Sequence, residues 1–144
     1  MPNNFVAVDS LVANEFEIQI DNQPMLGVFR VDGLITFKLD ESGKRVYEPF
    51  RIIKMVQRDA NNSFNSWLRA TTAPNANKPR RTVSILAVDD GVETRRWVVK
   101  GAWISKVEYS AFDTASHDMV EEIITIYYDS IEEFFPATPD LGVI

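Results

Sequence analysis

The chain has 144 residues, with 15 Lys plus Arg against 21 Asp plus Glu, a formal net charge of −6, 45% hydrophobic residues and no cysteine. That length fits one domain with a substantial core, and the missing cysteine excludes disulfides, thiolate metal sites and thiol catalysis. The acidic balance argues against a nucleic-acid or anionic-membrane binder, whose affinity comes from clustered Lys and Arg.

The start, Met-Pro-Asn-Asn-Phe5, lacks a basic segment followed by an apolar run, so neither a signal peptide nor a membrane span is expected, and residues 1–13 read as a short flexible N-terminus. Over 15–21, Phe16, Ile18 and Ile20 alternate with Glu17, Gln19 and Asp21, the period of a strand with one buried face. Asn22, Gln23 and Pro24 read as a turn, 25–31 as a second strand, and Asp32-Gly33 as its end. The apolar pattern resumes over 34–39, and 40–44 supplies turn chemistry before Arg45, Val46 and Tyr47, which predicts a hairpin with a charged tip. Pro49 marks the start of a strand over 50–57, the position where a missing N–H is tolerated.

The period changes over 59–71, where Phe64, Trp67 and Leu68 share one face of a short amphipathic helix, with Asp59 or Asn61 as N-cap. Residues 74–81 read as an exposed loop. Strands over 82–88 and 93–104 flank Asp89-Asp90-Gly91, a tight hairpin turn, and 105–109 continues or kinks the second strand past Gly101. After the polar stretch 113–118 a last long strand spans 119–129, and the Pro- and Gly-containing tail 136–144 reads as irregular. About seven strands, one helix and no βαβ alternation predict a mainly β fold, an antiparallel sandwich or barrel.

Chemistry is sparse. His117 is the single histidine and sits between Ser116 and Asp118, so no nitrogen-rich metal site is available. Neighbours in a strand point to opposite faces, so Glu121-Glu122 and Glu132-Glu133 cannot converge on one bond and read as solvated or interface charge. Nucleophile-elbow, phosphate-loop, dinucleotide-fold and zinc-protease motifs are absent. No catalytic, metal or cofactor-binding residue is nominated, and none of these groups is expected. Trp97 and Trp103, six residues apart, fall on one face of a regular strand and read as core or interface packing. The stretches 97–104 and 119–128 are apolar on both faces, more than a lone sandwich needs, and such surface finds a partner, often another copy.

Phe16-Glu17-Ile18-Gln19-Ile20-Asp21, then Val28-Phe29-Arg30-Val31-Asp32-Gly33-Leu34, resembles the strand and "S-G-L" segment that open the tail tube protein family of contractile phages and of extracellular contractile injection systems. A Trp-containing helix, an acidic-Gly turn and Trp97-Val98-Val99-Lys100-Gly101-Ala102-Trp103 resemble its "N-A-W-P" region, with Gly101 where the pattern has Asn and Ile104 where it has Pro. The segment 120–128 is similar to its last strand, while 40–44 is shorter than the loop usual there.

The resemblance implies a structural subunit: a homohexameric ring to which each chain gives about four strands of a shared barrel, with rings stacked into the inner tube of a phage tail or injection system. A ring of 24 strands about 4.8 Å apart has a backbone diameter of roughly 37 Å. Six copies of a −6 chain carry −36, and acid facing the lumen would let DNA or acidic cargo slide. The implied partners are further copies of the chain, a surrounding sheath protein, baseplate or cap proteins, and DNA or protein cargo without sequence specificity, with no membrane. The implied location is a virion tail or a released extracellular particle assembled in the cytoplasm. Asp40, Glu41, Lys44, Arg45 and Tyr47 at the hairpin are the expected contacts between subunits or rings. The alternatives are a tube-initiating or terminating ring, a type VI secretion tube protein, and a monomeric β-barrel ligand-binding module using Trp97 and Trp103.

Overall fold

Alternation in the first strand decides which side of the molecule becomes core. In the computed structural model, which describes residues 15–74 and 77–136, β1 (Phe16–Ile20) buries Ile18 and Ile20 and turns Glu17 to solvent. Asp21 and Asn22 follow at φ 49° and 67°, a backbone that Asp and Asn tolerate better than other side chains, and they make the two-residue turn to β2 (Gln23–Met25). The turn is therefore one residue earlier than the sequence suggests. Pro24 sits on a three-residue edge strand, where its missing N–H is harmless. Gly27, at φ 87°, then separates β2 from β3 (Val28–Asp32), so the single strand expected over 25–31 is two.

β4 (Phe50–Met55) leads to α1 (Ser63–Thr72), which buries Phe64, Trp67, Leu68 and Thr71. Its N-cap is Asn62, not Asp59 or Asn61, because the Asn62 side-chain oxygen accepts from the Asn65 N–H at 2.8 Å. Asp59 instead closes the preceding turn by accepting from the Asn61 N–H. The Trp67 indole donates to the Pro79 carbonyl at 3.0 Å, which satisfies its polar atom inside the core.

β5 (Arg81–Asp89) and β6 (Val92–Tyr109) meet at the Asp90-Gly91 turn, both residues at positive φ. β7 (Glu121–Tyr127) and β8 (Ser130–Phe134) follow. All pairs are antiparallel, in the order β2-β1-β5-β6-β7-β4-β3, with β8 also on β6. The 18-residue β6 belongs to two packed layers. Residues 92–102 complete a five-stranded layer with β2, β1, β5 and β8, and residues 103–109 complete a four-stranded layer with β7, β4 and β3. The described residues form eight strands where about seven were expected, but not the same ones: 25–31 is two strands, 34–39 and 45–47 are not strands, and β8 is additional; the sheet stays open within one chain. β8 continues the β7 register along the same edge of β6, from Ile104↔Ile126 to Arg96↔Phe134, past a break at Tyr128 and Asp129.

The hinge between layers is Gly101 at φ 66°, where the β5–β6 register shifts. Arg80 Nη1 donates to the Gly101 carbonyl at 3.1 Å and to Asp129 Oδ1 at 2.9 Å, while the Asp129 N–H donates to the Lys100 carbonyl at 2.9 Å. A Cβ at position 101 would overlap the Asp129 carboxylate. The shift also reverses the alternation: Trp97 and Val99 face the core before it, Ala102 and Ile104 after it. Trp97 and Trp103 thus do not share a face. Trp97 packs against the core, and Trp103 stacks outside on Tyr127 with centroids 5.1 Å apart. The expectations for 1–13 and for 137–144 of the tail lie outside the described residues, as do positions 75 and 76 of the 74–81 loop.

Candidate assembly surface

The four-stranded layer is open on both sides. Among the described residues, β3 pairs only with β4, and β6 over residues 103–109 pairs only with β7, so each presents an unpartnered row of N–H and C=O groups. The five-stranded layer ends differently. Its β2 edge is three residues long, carries Pro24 and packs against α1, and its β8 edge carries Glu132 and Glu133. Short strands, proline and charge are the features that keep an edge from pairing.

The outward face of the four-stranded layer holds Arg30, Arg51 and Lys106 against Asp32, Glu108 and Glu121, read from the pairing register. Arg51 binds Asp32 through two bonds of 2.8 Å, and Arg30 adds a 3.3 Å contact. The Arg51 hydrogen bond, more than the charges of Arg51 and Arg30, holds the Asp32 carboxyl below its ordinary value. The face is charge-balanced, so the surplus acid of the chain lies elsewhere.

Residues 33–49 project from one end of this layer. The hairpin expected there is present, but its ladder is not: one bridge, Leu39↔Arg45, stands where strands 34–39 and 45–47 were expected. Side chains hold it instead. Asp40 Oδ1 accepts from the Ser42 hydroxyl at 2.7 Å and from the Ser42 and Lys44 N–H groups at 2.9 Å. These donors, the Ser42 hydroxyl first, lower the Asp40 pKa. The Arg45 guanidinium lies between the Phe37 and Tyr47 rings, 5.5 and 5.1 Å from their centroids, and donates to the Thr36 carbonyl at 2.9 Å. Lys38 pairs with Glu48. Tyr128 ties the unit to the core: its hydroxyl donates to the Ile35 carbonyl at 3.1 Å, and its ring meets Tyr47 edge-on at 5.8 Å.

The five residues singled out in the sequence therefore lie on one rigid projection. Asp40 is spent on the turn and Arg45 and Tyr47 on the stack, while Glu41 and Lys44 are exposed without an ion-pair partner among the described residues. Sequence reasoning missed Phe37 and Leu39, which are exposed on the same hairpin, and Tyr128, which anchors it.

At the opposite end of the layer, where β3 and β7 begin and β4 and β6 finish, a cavity of about 610 Å³ is lined by Phe29, Met55 and Met119 together with Asp113, Asp118 and Glu121. Met119 is 65% exposed, and Phe112 beside it 79%.

Between the layers lies a charged pair that periodicity did not reveal. Lys54 Nζ stands 2.6 Å from Glu122 Oε1, with side-chain exposures of 0% and 7%. Oε1 lies off the hydrogen-bonding direction, so this contact is an ion pair, while Oε2 accepts from the Tyr109 hydroxyl at 2.9 Å. Burial, and then that hydrogen bond, raise the Tyr109 pKa. Lys54 Nζ also donates to the Met55 carbonyl at 3.1 Å and lies 5.3 Å from the Phe64 ring centroid. Glu122 is thus a buried ion, not the solvated or interface charge its neighbour Glu121 suggested.

Residues 33–132 match the model of the T4-like virus tail tube protein gp19 family. Among solved structures, the anti-feeding prophage tube terminating cap aligns at TM-score 0.73 and 14% identity, covering 92% of this chain and 96% of that one. An extracellular contractile injection system PVC sheath-tube complex in the extended state aligns at 0.69 and 16% identity, covering 88% and 93%. Hcp1 from Flavobacterium johnsoniae aligns at 0.55 and 15% identity, covering 84% and 98%. No curated protein matches the chain significantly.

Proposed function

The chain belongs to the T4-like virus tail tube protein gp19 family, and from that premise we propose that it builds the wall of an inner tube as one tail-tube-like domain over 1–144. Six copies close the four-stranded layer into a shared barrel, the free edge of β3 on one subunit pairing with residues 103–109 of β6 on the next. The observation that carries this reading is the pair of unpartnered edges on that layer, set against the protected edges of the other. Closure removes both edges without a change of fold.

The outward face of the layer then lines the lumen. With three cations and three acids per chain it is balanced, so the conduit does not rely on the repulsion that the −6 total charge suggested. DNA or protein passes without sequence readout. The sheath encloses the tube, and baseplate and cap proteins meet its ends, in a virion tail or a released injection particle assembled in the cytoplasm. The role is structural, without a catalytic step. A ligand-binding module built on Trp97 and Trp103 lacks the shared face it needs.

The hairpin residues Asp40, Glu41, Lys44, Arg45 and Tyr47 make contacts between neighbours in this assembly. Deleting 41–45 removes the tip and the Arg45 stack but leaves Tyr128 and the core in place, so the variant is expected to fold, seen by unchanged far-UV circular dichroism, and to lose tubes under the electron microscope. Normal tubes from the variant would contradict the assignment.

A further inference from the structure

The hairpin and the 610 Å³ cavity lie at opposite ends of the same four-stranded layer, about 20 Å apart along the seven residues of β7. In a barrel the strands run from one rim to the other, so the two features fall on opposite rims of any ring that the layer forms. They also differ in kind. The hairpin is convex, held from within, and tipped by Phe37 and Leu39 with Lys44 and Arg45, which like the neighbouring Glu41 have no ion-pair partner among the described residues. The cavity is concave, lined by the apolar Phe29, Met55 and Met119 and by the acidic Asp113, Asp118 and Glu121, and among the described residues its lining includes no Lys or Arg.

We infer that the cavity is the acceptor for the hairpin of a second copy of this chain in the next ring, a contact that rests on the tube reading and names the surface on which rings stack. The fit is apolar side chain into apolar wall and cation onto acid. Each chain carries one donor and one acceptor at opposite ends, and such a head-to-tail pair does not close on itself; it propagates into an open stack. The same geometry explains why Phe112 and Met119 stay exposed in a single chain, since the next ring covers them.

Charge reversal tests the pairing. Lys44→Glu, which leaves the Arg45 stack in place, and separately Asp113→Lys with Asp118→Lys, are each expected to leave rings of unchanged mass by light scattering and to abolish stacked tubes in negative stain. Combining the three substitutions in one chain restores the tubes. The native chain has no cysteine, so Lys44→Cys with Asp118→Cys gives a second readout: oxidised rings run as a ladder of multimers on denaturing gels, whereas either single cysteine yields no species above a dimer. Reversal variants that still stack, a combined variant that does not, or rings with the cysteine pair but no ladder would overturn the pairing. A native chain that never forms rings would instead overturn the tube reading beneath it.

Discussion

Replacing Lys54 with methionine will lower the stability of the unassembled chain by about 3–5 kcal/mol, the usual cost of leaving a buried charge without its partner. Lys54 is fully covered and Glu122 nearly so, and Lys54 Nζ is the cation that balances Glu122 between the layers. Without it, the carboxylate retains the Tyr109 hydroxyl at Oε2 but has no cation. The loss is read from the midpoint of urea denaturation followed by tryptophan fluorescence. Adding Glu122→Leu to Lys54→Met removes the stranded charge and is expected to recover most of the loss, because a well-packed apolar pair can match a buried ion pair. A single variant as stable as the native chain would mean that the pair is hydrated.

Substituting Gly101 with valine is the second large effect, with an expected loss of about 2–4 kcal/mol from two causes acting together. At φ 66° the backbone is left-handed, which a β-branched side chain resists most. The new Cβ also meets the Asp129 carboxylate, which Arg80 holds in place. The strain falls where β6 passes from one layer to the other, so the variant should also misalign the edges that close a ring. Gly101→Asn is expected to cost less, since Asn tolerates this conformation. The same denaturation measurement ranks the two variants, and equal stability of valine and native glycine would show that the bend does not depend on position 101.

Position 101 also shows where the sequence was legible and where it was not. Alternation identified β1, while Pro49, the Asp89-Asp90-Gly91 turn and a long apolar run marked the strands that are β4, β5, most of β6 and β7. Alternation could not place Trp103, since a single left-handed glycine reverses it and sends the side chain outside. The strand β8 was not delimited, although Glu132 and Glu133 were read as strand neighbours, because it only extends the β7 register along β6 past the break at Tyr128 and Asp129. The hairpin was visible as turn chemistry. Its rigidity was not, because no periodicity marks the Phe37–Arg45–Tyr47 stack and the Tyr128 anchor comes from a distant part of the chain. Glu122 read as solvated or interface charge, and only the pairing of β4 with β7 sets Lys54 face to face with it.

The central claim is that the open four-stranded layer closes by pairing with further copies of itself. It is tested most directly by measuring the mass of the purified chain in solution by light scattering and viewing the same sample in negative stain. The account predicts rings of roughly 100 kDa, six times the 16.4 kDa of one chain, or stacked tubes with a central hole. A single 16.4 kDa species at high concentration, with neither rings nor tubes on the grid, would contradict it.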